Sequence, residues 1–222
     1  MTKKIKTLII LILSILVSYQ NKLEAQDNME AYSKGFCYKL DGKYREAFEV
    51  FKKACDAGDR RLCAFELGEC YFQGIGCEQD LQKAFFYHLM SAENDHPEGA
   101  YVVAMDYYNG FGCEKNDNEA FKWNKKASED GHPYAPNNYA SMLAKGEGCK
   151  KDLVEAFKWY LKAANNGEPM AQYTVGCCYY YGDYNGENIG INKDYVKAKE
   201  YLLKSAKNGH PMAAIRLDEW FK

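Results

Sequence analysis

The sequence predicts an all-α protein, a solenoid of about five helical hairpins closed by a C-terminal capping helix. Three observations predict it. Gly74-x-Gly76, Gly110-x-Gly112 and Gly146-x-Gly148 recur at 36-residue steps. Pro97, Pro133, Pro169 and Pro211 recur at steps of 36, 36 and 42, each at or near the first turn of a helix, where a missing N–H costs nothing. The second helices carry Ala84, Ala120, Ala156 and Ala198 with the same steps. Self-similarity at such a period marks stacked helix-turn-helix units, none of which buries its apolar face alone.

In chain order, residues 1–25 stand apart. Lys3, Lys4 and Lys6 precede a short apolar run, Leu8 to Val17, and Leu23-Glu24-Ala25 ends in a small residue. This reads as a secretory signal peptide cut after Ala25; an uncleaved membrane anchor is the competing reading. The apolar run falls short of the ~20 residues of a membrane helix. No Cys lies near the cut, which argues against a lipoprotein. Cleavage would leave 25 basic and 30 acidic groups, net −5. That balance argues against a nucleic-acid partner, and no membrane insertion is expected after signal removal.

The repeat domain is expected over residues 27–222. In the first unit (27–59), Gly35, Tyr38, Ala47, Phe51 and Ala54 follow steps of 3, 9, 4 and 3, the tetratricopeptide spacing. There a small residue lets two helices approach and aromatics fill the space between. Units 60–95, 96–131 and 132–167 carry the longer Gly-x-Gly turn. Gly131, Gly167 and Gly209 suit the left-handed position after a helix. Unit 168–209 holds six extra residues in the loop YGDYNGENIGINKD. Residues 210–222 form a lone amphipathic helix, read as a cap over the last apolar face.

The run LGECYFQGIGCEQDLQKAFFYHLMSA (67–92) and its copies resemble the Sel-like repeat, a longer-turned relative of the tetratricopeptide repeat. The resemblance implies a right-handed α-α superhelix and covers nearly all of residues 27–222. In solenoids of this type the first helices line the concave face. Carried over by phase, the groove positions are Tyr32, Phe36 and Lys39 in unit 1, and Phe65, Glu69, Phe72 and Gln73 in unit 2. Unit 3 supplies Tyr101, Met105, Tyr108 and Asn109. Unit 4 supplies Tyr134, Asn137, Ser141 and Lys145. Unit 5 supplies Tyr173, Cys177, Tyr180 and Tyr181. The set is aromatic and amide-rich, which suits a binding groove because Tyr offers apolar area with one polar tip at low ordering cost. Some of these rings can equally be inter-helix core. Tyr71, Tyr107 and Tyr179 fall in the core phase.

Nine Cys divide by repeat position. Cys55 and Cys63 flank one turn, so two helix ends can bring them within disulfide range. The placement is similar to the secreted cysteine-rich Sel-like proteins, in which that pair is oxidised, and one such bridge is expected. Cys77, Cys113 and Cys149 share a slot, and Cys37, Cys70 and Cys178 share another. Both sets are read as small buried hydrophobes, with a Cys70–Cys77 bridge as a secondary possibility.

Other chemistry weighs less. His96, His132 and His210 share the slot before the helix-opening Pro and are read as exposed turn residues. His88 shows no partner in the pattern. The loop Asp183 to Asp194 is oxygen-rich, but Asn188 stands where a calcium loop needs Gly, so a solvated insertion is expected. No metal and no cofactor is expected. The Gly-x-Gly turns follow helices, not strands, and lack a phosphate-loop Lys. The cysteine-rich relatives are classed as β-lactamase-like penicillin-binding proteins, and the resemblance carries a β-lactam hydrolase as the alternative. No Ser-x-x-Lys, Ser-Asp-Asn, Lys-Thr-Gly or Gly-x-Ser-x-Gly supplies its machinery. The expectation is an exported, non-catalytic scaffold, periplasmic or secreted, that binds a protein or extended peptide in its concave groove.

Overall fold

The computed structural model describes residues 28–222, together with Ser18, Lys22 and Gln26. Apart from Ser18 and Lys22, the expected signal peptide lies outside the described residues. Eleven helices follow among them. The first hairpin is α1 (28–40) with α2 (Tyr44–Asp56), and the second is α3 (Leu62–Gln73) with α4 (Leu81–Glu93). Then come α5 (Pro97–Asn109) with α6 (Asp117–Glu129), and α7 (Ala135–Lys145) with α8 (Leu153–Asn165). The last hairpin is α9 (Pro169–Tyr181) with α10 (Tyr195–Lys207), and α11 (Pro211–Trp220) closes the chain. This is the all-α solenoid of five hairpins plus a cap that the repeats predict. The helices group into two compact units, one ending at Asn94 and the other running from Asp95 to Lys222.

Local chemistry sets the boundaries. Asp80, Asn116, Asp152 and Asp194 each accept a hydrogen bond from a backbone N–H three residues on, at 2.9–3.1 Å, and so start α4, α6, α8 and α10. The first helices α3, α5, α7 and α9 end on Gly74, Gly110, Gly146 and Gly182, all in the left-handed region. Pro97, Pro169 and Pro211 open α5, α9 and α11. Pro133 instead precedes α7, whose first turn holds Pro136.

The second glycine of the turn has a packing role as well. At Gly148, with φ +68°, an added Cβ would overlap the Asp117 carbonyl at the start of α6. Gly76 meets the Tyr44 carbonyl at the start of α2 in the same way. These two turns are therefore seated on the second helix of the preceding hairpin, a contact only glycine permits.

Inside three of the hairpins a glycine of the first helix faces a large side chain of the second. Gly35 faces Phe51, Gly68 faces the His88 ring, and Gly176 faces Leu202. Ala47, Phe51, Leu67 and Cys70 anchor the core of the first unit. Tyr139, Leu143, Phe157, Tyr160 and Val175 anchor that of the second. Each buried ring or branched side chain of this kind contributes about 1.5–3 kcal/mol.

Several sequence expectations need correction. The insertion is not simply solvated. Tyr184 stacks on Tyr160 at 6.0 Å, and Ile189 is buried in the same cluster. Its oxygens serve its own turns: Asp183 accepts from Gly186 N and Asn188 from Gly190 N. Among the described residues, no cluster of three metal-ligating side chains exists. Cys70 and Cys178 are buried as expected, but Cys37 is exposed. Cys77, Cys113 and Cys149 are only half-buried, since the Gly-x-Gly turn leaves them at the hairpin edge.

Candidate functional site

In the first unit the groove-phase residues fall on α1 and α3. Tyr32 and Phe36 stack at 6.1 Å, and Phe36 remains exposed. Lys39 Nζ lies 2.6 Å from Glu66 Oε2. Burial pulls the Lys39 pKa down, but the Glu66 carboxylate outweighs it and the net shift is upward. Phe65 and Phe72 both lie against His88, at 5.9 and 6.3 Å between ring centres. His88 is fully buried, and its Nε2 sits 3.3 Å from Glu69 Oε1. The His88 ring leads in holding the Glu69 carboxyl below its usual range, against burial. Phe65, Phe72 and Glu69 thus enclose a polar core residue, a role the sequence pattern did not reveal. Gln73 is exposed and donates to Glu69 at 2.7 Å.

In the second unit the first helices are α5, α7 and α9. Tyr101 stacks on the His132 ring at 4.1 Å. His132 is buried, not an exposed turn residue. Its Nδ1 accepts from the backbone N–H groups of Tyr134 and Ala135, at 3.3 and 3.1 Å, and so caps α7. Its Nε2 lies 3.0 Å from Glu98 Oε2. Two backbone donors on Nδ1 fix the tautomer with the proton on Nε2, pointing at the carboxylate. Burial lowers the His132 pKa, and Glu98 opposes that shift. Glu168 fills the equivalent slot before α9, where its carboxylate accepts from Ala171 N. His210 stacks on Tyr173 at 4.4 Å, with its pKa also lowered by burial. From His132 onward the shared slot therefore caps a helix or stacks on a ring. A His or Glu directly before Pro was the available signal.

These contacts sort the predicted groove residues. Tyr101 and Tyr173 are partly committed to packing on His132 and His210. Tyr180 stacks on Trp220 of α11 at 3.9 Å and is covered by the cap. Tyr134, 59% exposed, and Tyr181, 47% exposed, remain open, as does Asn109. Tyr108 is half-buried beneath Lys115, whose Nζ lies 5.1 Å from the ring centre. Asn137 is half-buried. The amide that bridges hairpins is its neighbour Asn138, whose Nδ2 is 3.4 Å from Tyr101 Oη. A shift of one residue along α7 separates the two, finer than repeat phase resolves.

Two cavities open among these side chains. One, of about 200 Å³, lies against Met105, Tyr108, Asn124, Asn138, Ser141 and Lys145. The other, of about 550 Å³, is lined by Tyr173, Cys177, Tyr181, Tyr184, Arg216 and Trp220. Arg216 Nε reaches Tyr173 Oη at 3.4 Å, and its Nη1 pairs with Glu219 at 2.7 Å. The insertion and the cap helix, the two departures from the plain repeat, thus complete the larger cavity.

The buried thiols are poor nucleophiles. Burial pushes Cys55, Cys70 and Cys178 up to about 12, and raises Cys63 and Cys177 as well. A reactive thiolate needs the opposite shift. Cys63 is buried in the first core cluster and Cys55 packs against that cluster, both as thiols. No helix among the described residues is long and apolar enough to cross a membrane.

Comparison with known proteins follows the same repeat register. A protein from Oxalobacter formigenes solved as a Sel1 repeat protein superposes with a TM-score of 0.74 at 30% identity, over 85% of this chain and 74% of its own. A protective antigen of uropathogenic Escherichia coli with an SLR fold superposes with a TM-score of 0.78 at 26% identity, over 86% of this chain. The present chain spans 40% of the length of that antigen. No curated protein sequence matches significantly. The Sel1 repeat model matches five times, at residues 30–59, 62–96, 97–132, 133–168 and 169–210. The chain belongs to the Sel1 repeat family.

Proposed function

We propose that this Sel1 repeat chain is an exported, non-catalytic scaffold that binds a protein or an extended peptide along its first helices. The observation that carries the reading is the surface of α5, α7 and α9. Tyr108, Tyr134, Tyr181, Asn109 and Ser141 are open or half-open there, beside two cavities. Rings with polar tips bury apolar area, while amides and hydroxyls pair with the N–H and C=O groups of an extended chain. The raised thiol pKa values favour binding over nucleophilic chemistry. The basic and apolar pattern of residues 1–25 supports export, with cleavage after Ala25. Export in turn supports oxidation of Cys55 with Cys63.

Selection of a phage-displayed random peptide library on the purified protein tests the reading. The wild type should enrich a peptide family. A Tyr108/Tyr134/Tyr181→Ser triple variant should lose it at unchanged helical circular dichroism. Equal recovery on both proteins, or no enrichment on the wild type, overturns the groove. N-terminal sequencing of the exported protein should begin at Gln26; an intact Met1 terminus overturns processing.

A further inference from the structure

One slot recurs at the centre of each hairpin, on the second helix. It holds Phe51, His88 and Leu202 opposite Gly35, Gly68 and Gly176. By the repeat period it holds Tyr160 in the fourth hairpin and Asn124 in the third. Asn124 is therefore a short polar side chain where its counterparts are mostly large and apolar. It is 2% exposed. Its Nδ2 donates to Ala120 O at 3.2 Å and to Met142 Sδ at 3.4 Å, while its Oδ1 meets no donor among the described residues. A buried acceptor left unmatched is a destabilising feature that calls for a reason. Asn124 also lines the smaller cavity, of about 200 Å³. That space exceeds one water's share of ~30 Å³ several-fold.

We propose that this cavity is a specificity pocket for the carboxamide side chain of an Asn or Gln in the bound peptide. The proposal rests on the groove reading above and names what one part of that groove selects. A carboxamide brings two N–H donors and one acceptor oxygen. Less than 1 Å² of Oδ1 is open in the unbound protein, so the Asn124 amide turns toward the cavity on binding; one donor then satisfies Oδ1, and the oxygen accepts from Tyr108 Oη or Lys145 Nζ on the same lining. Met105 and Met142 supply apolar walls around the side-chain stem. The charged groups on the lining are Lys145 and Glu147, 3.7 Å apart and of opposite sign, so the pocket favours a neutral guest. A carboxylate brings no donor and sets its charge against Oδ1. An aliphatic side chain leaves Oδ1 as unmatched as before.

The test uses peptides selected on the wild type and the Asn124→Leu variant. Selected peptides should share an Asn or Gln at one position. Changing that residue to Glu or Leu should weaken wild-type binding at least ~10-fold, as expected when a guest no longer matches a buried hydrogen-bonding group. On Asn124→Leu the same changes should alter affinity less than about twofold. Thermal melting separates a merely structural role: Leu should raise the midpoint, because it removes the unmatched acceptor and fills space. Binders without an amide-dependent position, or equal amide dependence on both proteins, overturn the pocket while leaving the groove intact. A second measurement needs no selected peptide. Titration of the wild type with N-acetylglutamine N-methylamide should shift the Asn124 side-chain NH₂ resonances saturably, and N-acetylleucine N-methylamide should not. No shift, or the same shift with both probes, overturns the pocket whatever the library yields.

Discussion

Replacing Gly148 with Ala adds one methyl group, and the cost depends on what that methyl meets. Gly131, Gly146 and Gly148 provide a matched series within the second unit. All three have positive φ, at +89°, +76° and +68°. A Cβ at Gly131 has nothing within 4 Å among the described residues. At Gly146 the nearest atoms, the Cβ and N of Lys151, lie at 3.3 Å. At Gly148 the methyl would overlap the backbone carbonyl of Asp117, which opens α6. Gly131→Ala therefore carries only the left-handed backbone penalty, about 1–2 kcal/mol. Gly148→Ala adds an overlap with backbone that cannot rotate away, of the kind that costs about 1–3 kcal/mol. The sum is about 2–5 kcal/mol, with Gly146→Ala nearer the lower figure. Urea denaturation followed by circular dichroism reads the series as shifts in midpoint at a common slope. Equal shifts for Gly131→Ala and Gly148→Ala would refute the seating of the turn on the preceding hairpin.

The His132 pKa is lowered in the folded protein, so the unfolded chain binds the proton more tightly. The stability tied to neutral His132 is present above the unfolded value of ~6.5 and is lost as pH falls below it. The urea midpoint should fall between pH 7.5 and 5.0, and His132→Asn, which keeps an acceptor for the α7 cap, should flatten that dependence; an unchanged slope would count against it. Lys39→Met leaves Glu66 buried without its 2.6 Å partner and should destabilise by about 1–3 kcal/mol. Lys39→Met with Glu66→Met should recover part of that loss in a double-mutant cycle. Intact mass of the exported protein should show the loss of two hydrogens, with one peptide linking Cys55 to Cys63. Reduction of that bond should lower stability by about 2–3 kcal/mol; full alkylation of both thiols without reductant would contradict the pairing.

What was legible in the sequence follows from what a period encodes. Gly74, Gly110 and Gly146 mark left-handed helix ends because backbone geometry selects glycine directly. Pro97, Pro169 and Pro211 mark helix starts for an equally local reason. The hairpin count and order therefore follow from spacing alone. Side-chain roles follow less well, since phase gives a face of a helix and not the neighbour on it. Tyr101 and Tyr108 share one groove phase, yet Tyr101 stacks on His132 while Tyr108 borders a cavity. The His slot was misread because capping an adjacent helix and lying exposed in a turn call for the same position in the chain. Asn138 rather than Asn137 bridges to Tyr101, a one-residue difference below the resolution of repeat alignment.

Departures from a repeat carry a different kind of information from the repeat itself. A position that holds Phe51, Tyr160 and Leu202 is constrained by packing, and any large apolar side chain satisfies it. His88 and Asn124 break that rule in adjacent hairpins with opposite consequences. His88 is as large as its apolar counterparts and finds Glu69 on the first helix of its own hairpin, so its polarity is absorbed locally. Asn124 is smaller, leaves its Oδ1 unmatched and borders a cavity, so its polarity is not absorbed. Both changes look alike in the sequence, as one polar residue in an apolar slot. Size relative to the slot and the presence of a partner distinguish them, and only three-dimensional contact supplies the second. On that physical ground the third hairpin, rather than the second, is where the groove should discriminate among ligands.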